Sequence, residues 1–175
     1  MKNESHHELH QSLQVVNKSI ATVSKDTTLT DTIISKIDTT TVLSSFKKTV
    51  KTARFIKELE MDQDGGSIFD SERPILIGDI NGDHLDDAIM PFSIEGRGGG
   101  NNWDTHYAIF INKGGKLEYK YSFSRGGDLA ERQIQFMRIK DNLIRGAELP
   151  GFKFPEGDSV GVAYIYSKKG LINSK

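Results

Sequence analysis

From residue 74 onward, apolar residues recur with a period near two, and turn signals separate the runs. This pattern predicts short strands over 74–78, 88–94, 105–112, 116–124, 132–140, 143–149 and 159–167, with a last short piece at Leu171 and Ile172. Lys113-Gly-Gly115 and Asp141-Asn142 read as hairpin turns. Within 116–124, strict alternation puts Leu117, Tyr119, Tyr121 and Phe123 on one face and Glu118, Lys120 and Ser122 on the other. Ahead of the strands, residues 42–60 have a helical period. Leu43, Phe46, Val50, Ala53 and Ile56 form the apolar stripe, basic residues lie mostly opposite, and Thr39 to Thr41 offer a capping hydroxyl. Short strands joined by tight turns predict an antiparallel meander with an amphipathic helix packed on it. The expected fold class is α+β.

Residues 1–38 break this regularity. They are poor in large hydrophobics and rich in Ser, Thr, Lys and His, as expected of a polar leader or weakly formed helices. Leu9, Leu13, Val16, Ile20 and Val23 recur at helical spacing, and Leu29, Ile33, Ile34 and Ile37 mark a second short element. Residues 39–175 are then expected to form a single α+β domain. A chain of 175 residues suits one domain, burying roughly 70% of its unfolded surface. Its longest apolar runs fall far short of the ~20 residues of a membrane helix. The absence of Cys excludes disulfides and thiolate metal sites.

Charge changes the picture once it is read by position. The total is 23 basic against 24 acidic residues, a net −1, which argues against a general electrostatic grip on nucleic acid. Yet residues 60–90 hold nine acids and one base, Arg73, or −8, leaving +7 for the rest. The acids concentrate in Gly78-Asp-Ile-Asn-Gly-Asp-His-Leu-Asp-Asp-Ala-Ile-Met90. Counting Asp79 as position 1, Asn81 is position 3, Asp83 position 5, Leu85 position 7 and Asp87 position 9. Oxygen side chains at 1, 3, 5 and 9, with a backbone carbonyl at 7, can wrap a hard divalent cation. Three carboxylates suit Ca2+ better than Mg2+, which demands a smaller octahedral shell and keeps its waters. An EF-hand is excluded because position 12 is Met90 rather than Glu.

This loop resembles the nine-residue calcium loops of FG-GAP and VCBS repeats, found in integrin-type propellers, of form D-x-[DN]-G-D-G-x-x-D leading into an apolar strand. The departure is His84, where the pattern has Gly. His is among the residues enriched at positive φ, so the loop geometry is expected to survive at some cost in strain. The resemblance covers about residues 78–90. Propellers repeat the loop once per blade, whereas Asp62-Gln-Asp-Gly-Gly-Ser-Ile-Phe-Asp70 has Gly66 where a ligand is needed. One loop and one sheet argue against a propeller. The chain looks more like small bacterial exported proteins and lipoproteins in which one such loop opens an antiparallel sheet.

Other stretches carry weaker chemistry. His6-His-Glu-Leu-His10 lacks the H-E-x-x-H register of a zinc protease, and no Gly-x-Ser-x-Gly elbow is present. The Gly-rich stretch 97–106 holds the only Trp and reads as a recognition loop, with Arg97, Asn101, Asn102, Trp103 and His106 as its candidate contacts. The leading functional expectation is a non-enzymatic, calcium-stabilised binding module. Its partner would be a protein, as for an inhibitor or immunity protein, or a cell-surface glycan. A metal-dependent hydrolase, with the loop holding metal near Trp103 and His106, is the alternative from another class. A cytosolic interaction domain with no bound metal is the third. The resemblance implies export to the periplasm or an outer-membrane lipoprotein, with Met1 replacing a removed signal and a lipid tether lying beyond this sequence. Cytoplasmic residence is the alternative.

Overall fold

The computed structural model describes residues 35–174. The leader's helical stripe over 8–23, most of the second apolar element and the His6–His10 segment lie outside those residues. The described part is α+β: three short helices and two antiparallel sheets, neither closed nor propeller-like.

Helix α1 (Thr39–Thr49) is capped by Asp38, not by the threonines expected from the sequence. The Asp38 carboxylate accepts from the Thr41 N–H at 2.7 Å and from its hydroxyl at the same distance. These bonds favour the charged form and hold the Asp38 carboxyl below its usual value. Val42 and Phe46, four residues apart, are its buried face. The expected single helix then breaks at 50–52, where Thr52 caps a second one, α2 (Ala53–Glu58), by accepting from the Phe55 N–H at 3.3 Å. The break rephases the stripe. Phe55 and Leu59 turn inward where Ala53 and Ile56 were expected, and Leu43 remains 39% exposed. A single-turn α3 (Met61–Asp64) follows.

The first sheet contains β1 (Ser67–Phe69), β2 (Leu76–Gly78), β3 (Asp87–Glu95), β4 (Trp103–Lys113) and β5 (Lys116–Gly127). Strands β2 and β1 pair in tandem along one edge of β3, opposite 87–89 and 93–95 respectively, while β4 pairs along the other. Pro91, which has no N–H to donate, falls in the gap between the two tandem partners. The second sheet is a plain meander of β6 (Arg132–Lys140), β7 (Leu143–Pro150), β8 (Val160–Ser167) and β9 (Gly170–Asn173). The sequence-predicted strands are therefore present, but they divide between two sheets, and β1 is an addition.

Two cores result. Val42, Phe46, Phe55 and Leu59 from the helical segment meet Ala88, Met90, Phe92, Ile94, Ala108 and Phe110 on one face of the first sheet. On its other face, Ile89, Tyr107 and Ile109 meet Ile134, Phe136, Ile144 and Tyr164 of the second sheet. The first sheet is thus covered on both sides, which explains why β3 is buried from Asp87 to Ile94 instead of alternating with solvent.

A bulge at Lys120 overturns the expected single face of β5. Ile109 pairs with Tyr121 and Phe110 with Tyr119, so Lys120 has no partner on β4. Leu117 and Tyr119 consequently pack in the helix-side core, while Tyr121 and Phe123 pack between the sheets. Helix α2 satisfies the polar groups around the bulge. The Arg54 guanidinium donates to the carbonyls of Tyr119 and Lys120, and the Glu58 carboxylate accepts from the Ser122 N–H at 2.7 Å and the Tyr119 hydroxyl at 2.8 Å.

Candidate metal centre

The loop between β2 and β3 is shaped by its own carboxylates. Asp79 Oδ1 accepts from the N–H groups of Asn81 (3.2 Å) and Gly82 (2.7 Å), and its Oδ2 from that of His84 (2.9 Å). Asn81 Oδ1 accepts from the Asp83 N–H at 2.8 Å, and Asp83 Oδ1 from the Leu85 N–H at 3.0 Å. These successive side-chain-to-backbone bonds curl the chain about the acids. Gly82 (φ 83°) and His84 (φ 66°) both take positive φ, so His84 occupies the conformation expected of it. Its imidazole Nδ1 lies 3.9 Å from Asp79 Oδ2.

Three anchors tie the loop to the body. Ile80 is buried between the sheets. Its N–H donates to Asp87 Oδ2 at 3.1 Å, and the Asn112 N–H at the end of β4 donates to Asp87 Oδ1 at 2.8 Å. Asp86 points elsewhere. Its N–H donates to the Ser35 carbonyl at 2.7 Å and its carboxylate pairs with Lys36 at 3.2 Å, so residues 35–36 run alongside the loop.

Asp79, Asp83 and Asp87 each bring a carboxylate oxygen within 4.8 Å of the others, the one such group of three among the described residues. Oxygens bound to one calcium at about 2.3–2.6 Å lie no more than about 5 Å apart, so the three fit a single shell. The donor set is all oxygen, which suits a hard cation. Asp87 is fully buried, and burial pushes its carboxyl up to about 6. The Asn112 and Ile80 N–H donors act against that shift, while the charges of Asp83 and Asp79 reinforce it. Lys113, which no spacing within the loop pointed to, brings its ammonium within 3.8 Å of Asp83 Oδ2 from the β4–β5 hairpin. The second acidic stretch, Asp62 to Asp70, forms no comparable group.

The expected recognition loop lies at the far end of the same strand. Trp103 pairs with Glu95, eight residues along β3 from Asp87 and roughly 26 Å away at the strand rise. Arg97 is turned inward, donating to the Leu59 carbonyl at 2.7 Å and lying 3.7 Å from Asp64. His106 is 6% exposed and stacked on Phe92. Neither of its ring nitrogens has a hydrogen-bond partner among the described residues. Burial first, then the Arg97 charge, push its imidazole down to about 4, so it is neutral at physiological pH. Asn102 is half-buried and its backbone carbonyl accepts from the Gly96 N–H, leaving Asn101 exposed at the tip. Trp103 instead meets Phe152, an aromatic of the 151–159 loop that is itself two-thirds exposed. The acidic loop, Trp103 and His106 therefore do not converge on one site.

No family model matches the chain, and neither a curated protein nor a solved structure matches it. Among the described residues no helix is long and apolar enough to cross a membrane.

Proposed function

We propose that this protein is a non-enzymatic binding module whose β2–β3 loop is stapled by calcium. Asp79, Asn81, Asp83 and Asp87 supply side-chain oxygens and Leu85 its backbone carbonyl. The observation that carries this reading is the convergence of three carboxylates within 4.8 Å, one of them fully buried. Holding like charges together costs stability unless a cation offsets it. The likeness of the loop to FG-GAP-type calcium loops supports the same reading. The ion's role is structural, because the loop is tied to the core between the sheets through Ile80 and to the β4 end through Asp87. The hydrolase alternative loses its main support, since Trp103 stands at the other end of β3 and His106 is buried opposite Phe92.

The module's contact surface is the opposite end, where Trp103 meets the exposed Phe152, with exposed Asn101 two residues before the one and exposed Phe154 two residues after the other. Large aromatics anchor protein interfaces, so the partner of this surface is a protein. The module works outside the cytoplasm, where calcium reaches the about 10⁻⁴–10⁻³ M that extracellular sites are tuned to.

Calorimetric melting in chelator and in calcium tests the staple. At a hundredfold excess over the dissociation constant, calcium stabilises by about 2.7 kcal/mol. Asp83→Ala abolishes that gain. No shift at millimolar calcium overturns the reading, and a micromolar or tighter dissociation constant overturns the extracellular assignment.

A further inference from the structure

Beside the acidic loop lies a cavity of about 550 Å³ lined by Arg54, Lys113, Lys120, Lys168 and Tyr166, with Asn81 at its margin and buried Ile111 in its wall. None of its lining residues is acidic. Four cations from three separate parts of the chain therefore line one concave space. The carboxylates paired with three of them, Glu58 with Arg54 at 3.9 Å, Asp83 with Lys113 at 3.8 Å and Glu118 with Lys120 at 2.8 Å, lie outside the lining, so the space itself presents positive charge to whatever enters.

The fold builds this arrangement through the β5 bulge. The bulge makes Lys120 the extra residue, and its freed carbonyl, with that of Tyr119, accepts from Arg54. The Arg54 guanidinium also lies over the Tyr119 ring, 5.2 Å from its centroid, so it is held before any ligand arrives. The same bulge turns Tyr121 toward the second sheet. There it stacks parallel to Tyr166 at 6.3 Å and donates to the Ser167 carbonyl at 3.3 Å. These contacts hold the β8–β9 turn, and with it Lys168, at the cavity mouth. Lys120 pairs with Glu118 at 2.8 Å, but Lys168 has no carboxylate partner among the described residues.

We propose that this cavity binds a phosphoryl group, carried by a small phosphate ester or by free phosphate. The phosphoryl group is met by the ammonium groups of Lys168 and Lys120 and by the N–H groups of Arg54 beyond those given to the Tyr119 and Lys120 carbonyls, and the organic part of an ester lies against Tyr166 and Ile111. A compact dianion suits several converging point charges and one planar donor better than a single carboxylate does. Lys113 links the cavity to the loop. Its ammonium is 3.8 Å from Asp83, and a divalent ion on Asp83 releases it toward the anion. This coupling alone rests on the calcium reading, whereas the anion site stands without it.

Titration calorimetry of the full chain with phenyl phosphate, in chelator and low salt, tests the site. Saturable binding is expected, weakened about tenfold by Lys168→Ala and further by adding Lys120→Ala, with melting temperatures unchanged. Raised salt weakens binding in the wild type more than in the double variant. Equal affinity for inorganic phosphate identifies the free ion as the source, and tighter phenyl phosphate binding identifies an ester; either supports a phosphoryl site. No saturable binding at ten-millimolar ligand, or full affinity in a folded double variant, overturns it. Added calcium is expected to tighten binding in the wild type and not in Lys113→Ala. An unchanged affinity overturns the coupling alone, and the melting experiment judges the calcium reading separately.

Discussion

Strand β3 runs between two regions of the chain that hold its most reactive side-chain types, and the two use them differently. At the Asp87 end, three carboxylates converge and their oxygens organise the loop's own N–H groups. At the Glu95 end, Arg97 is committed to the Leu59 carbonyl, and His106 is stacked in the core on Phe92. Like charges brought together favour a cation among them, and that end could hold a metal ion. Polar groups spent on the protein's own backbone and core point to bracing, so at this end Arg97 and His106 support the exposed aromatics and do not themselves reach outward. What distinguishes the two ends is charge of one sign: three carboxylates meet at the loop, whereas Arg97 and His106 at the other end are held on backbone and core.

Mutations can break this contrast, and the largest effect is expected at Asp87. Asp87→Ala leaves the N–H groups of Ile80 and Asn112 without their acceptor in buried surroundings. At about 1–3 kcal/mol for each unsatisfied donor, urea unfolding in chelator should show a loss of about 4 kcal/mol, independent of any metal.

The next effect belongs to the opposite end and appears with acid. His106 titrates near 6.5 when unfolded and at about 4 when folded. Between those values the unfolded state binds the extra proton, so stability falls as pH drops from about 6.5 and the loss is complete below about 4. The wild type should lose about 3 kcal/mol relative to His106→Leu over that window, measured as the pH dependence of unfolding free energy in both proteins. An equal acid response in the two would show that His106 is solvated in the folded state.

Arg97→Ala is expected to cost least, about 1.5 kcal/mol, through loss of the charged hydrogen bond to the Leu59 carbonyl. The same urea series measures it. A neutral result would return Arg97 to the role of a free surface contact and blur the distinction between the two ends.

Much of this was legible in the linear pattern. The strands from 74 onward, both hairpin turns and the Asp79–Asp87 loop were all readable, because pleat alternation, Gly and Asn turn chemistry and the spacing of acids are local properties. The helix break at 50–52 was not, because Thr52 caps α2 within a run whose apolar period appears continuous. The β5 bulge was hidden for a similar reason. Leu117 to Phe123 alternate perfectly, yet the chain must serve two cores on opposite faces of one sheet, and the extra residue at Lys120 switches it from one to the other.

By itself, then, the sequence determined the α+β class, the composition of the strands and the set of acids able to surround one cation. Tertiary structure decided that the strands divide into two sheets, that Asp87 is buried against the end of β4, and that Lys113 approaches Asp83 from a different hairpin. It also decided that Trp103 and His106 are held away from the loop, and that four cations share one cavity. The reason is physical. Spacing along a chain fixes which groups can meet within one turn or strand, but desolvation and charge repulsion depend on neighbours distant in sequence, which only the packing of sheet on sheet and helix on sheet brings together.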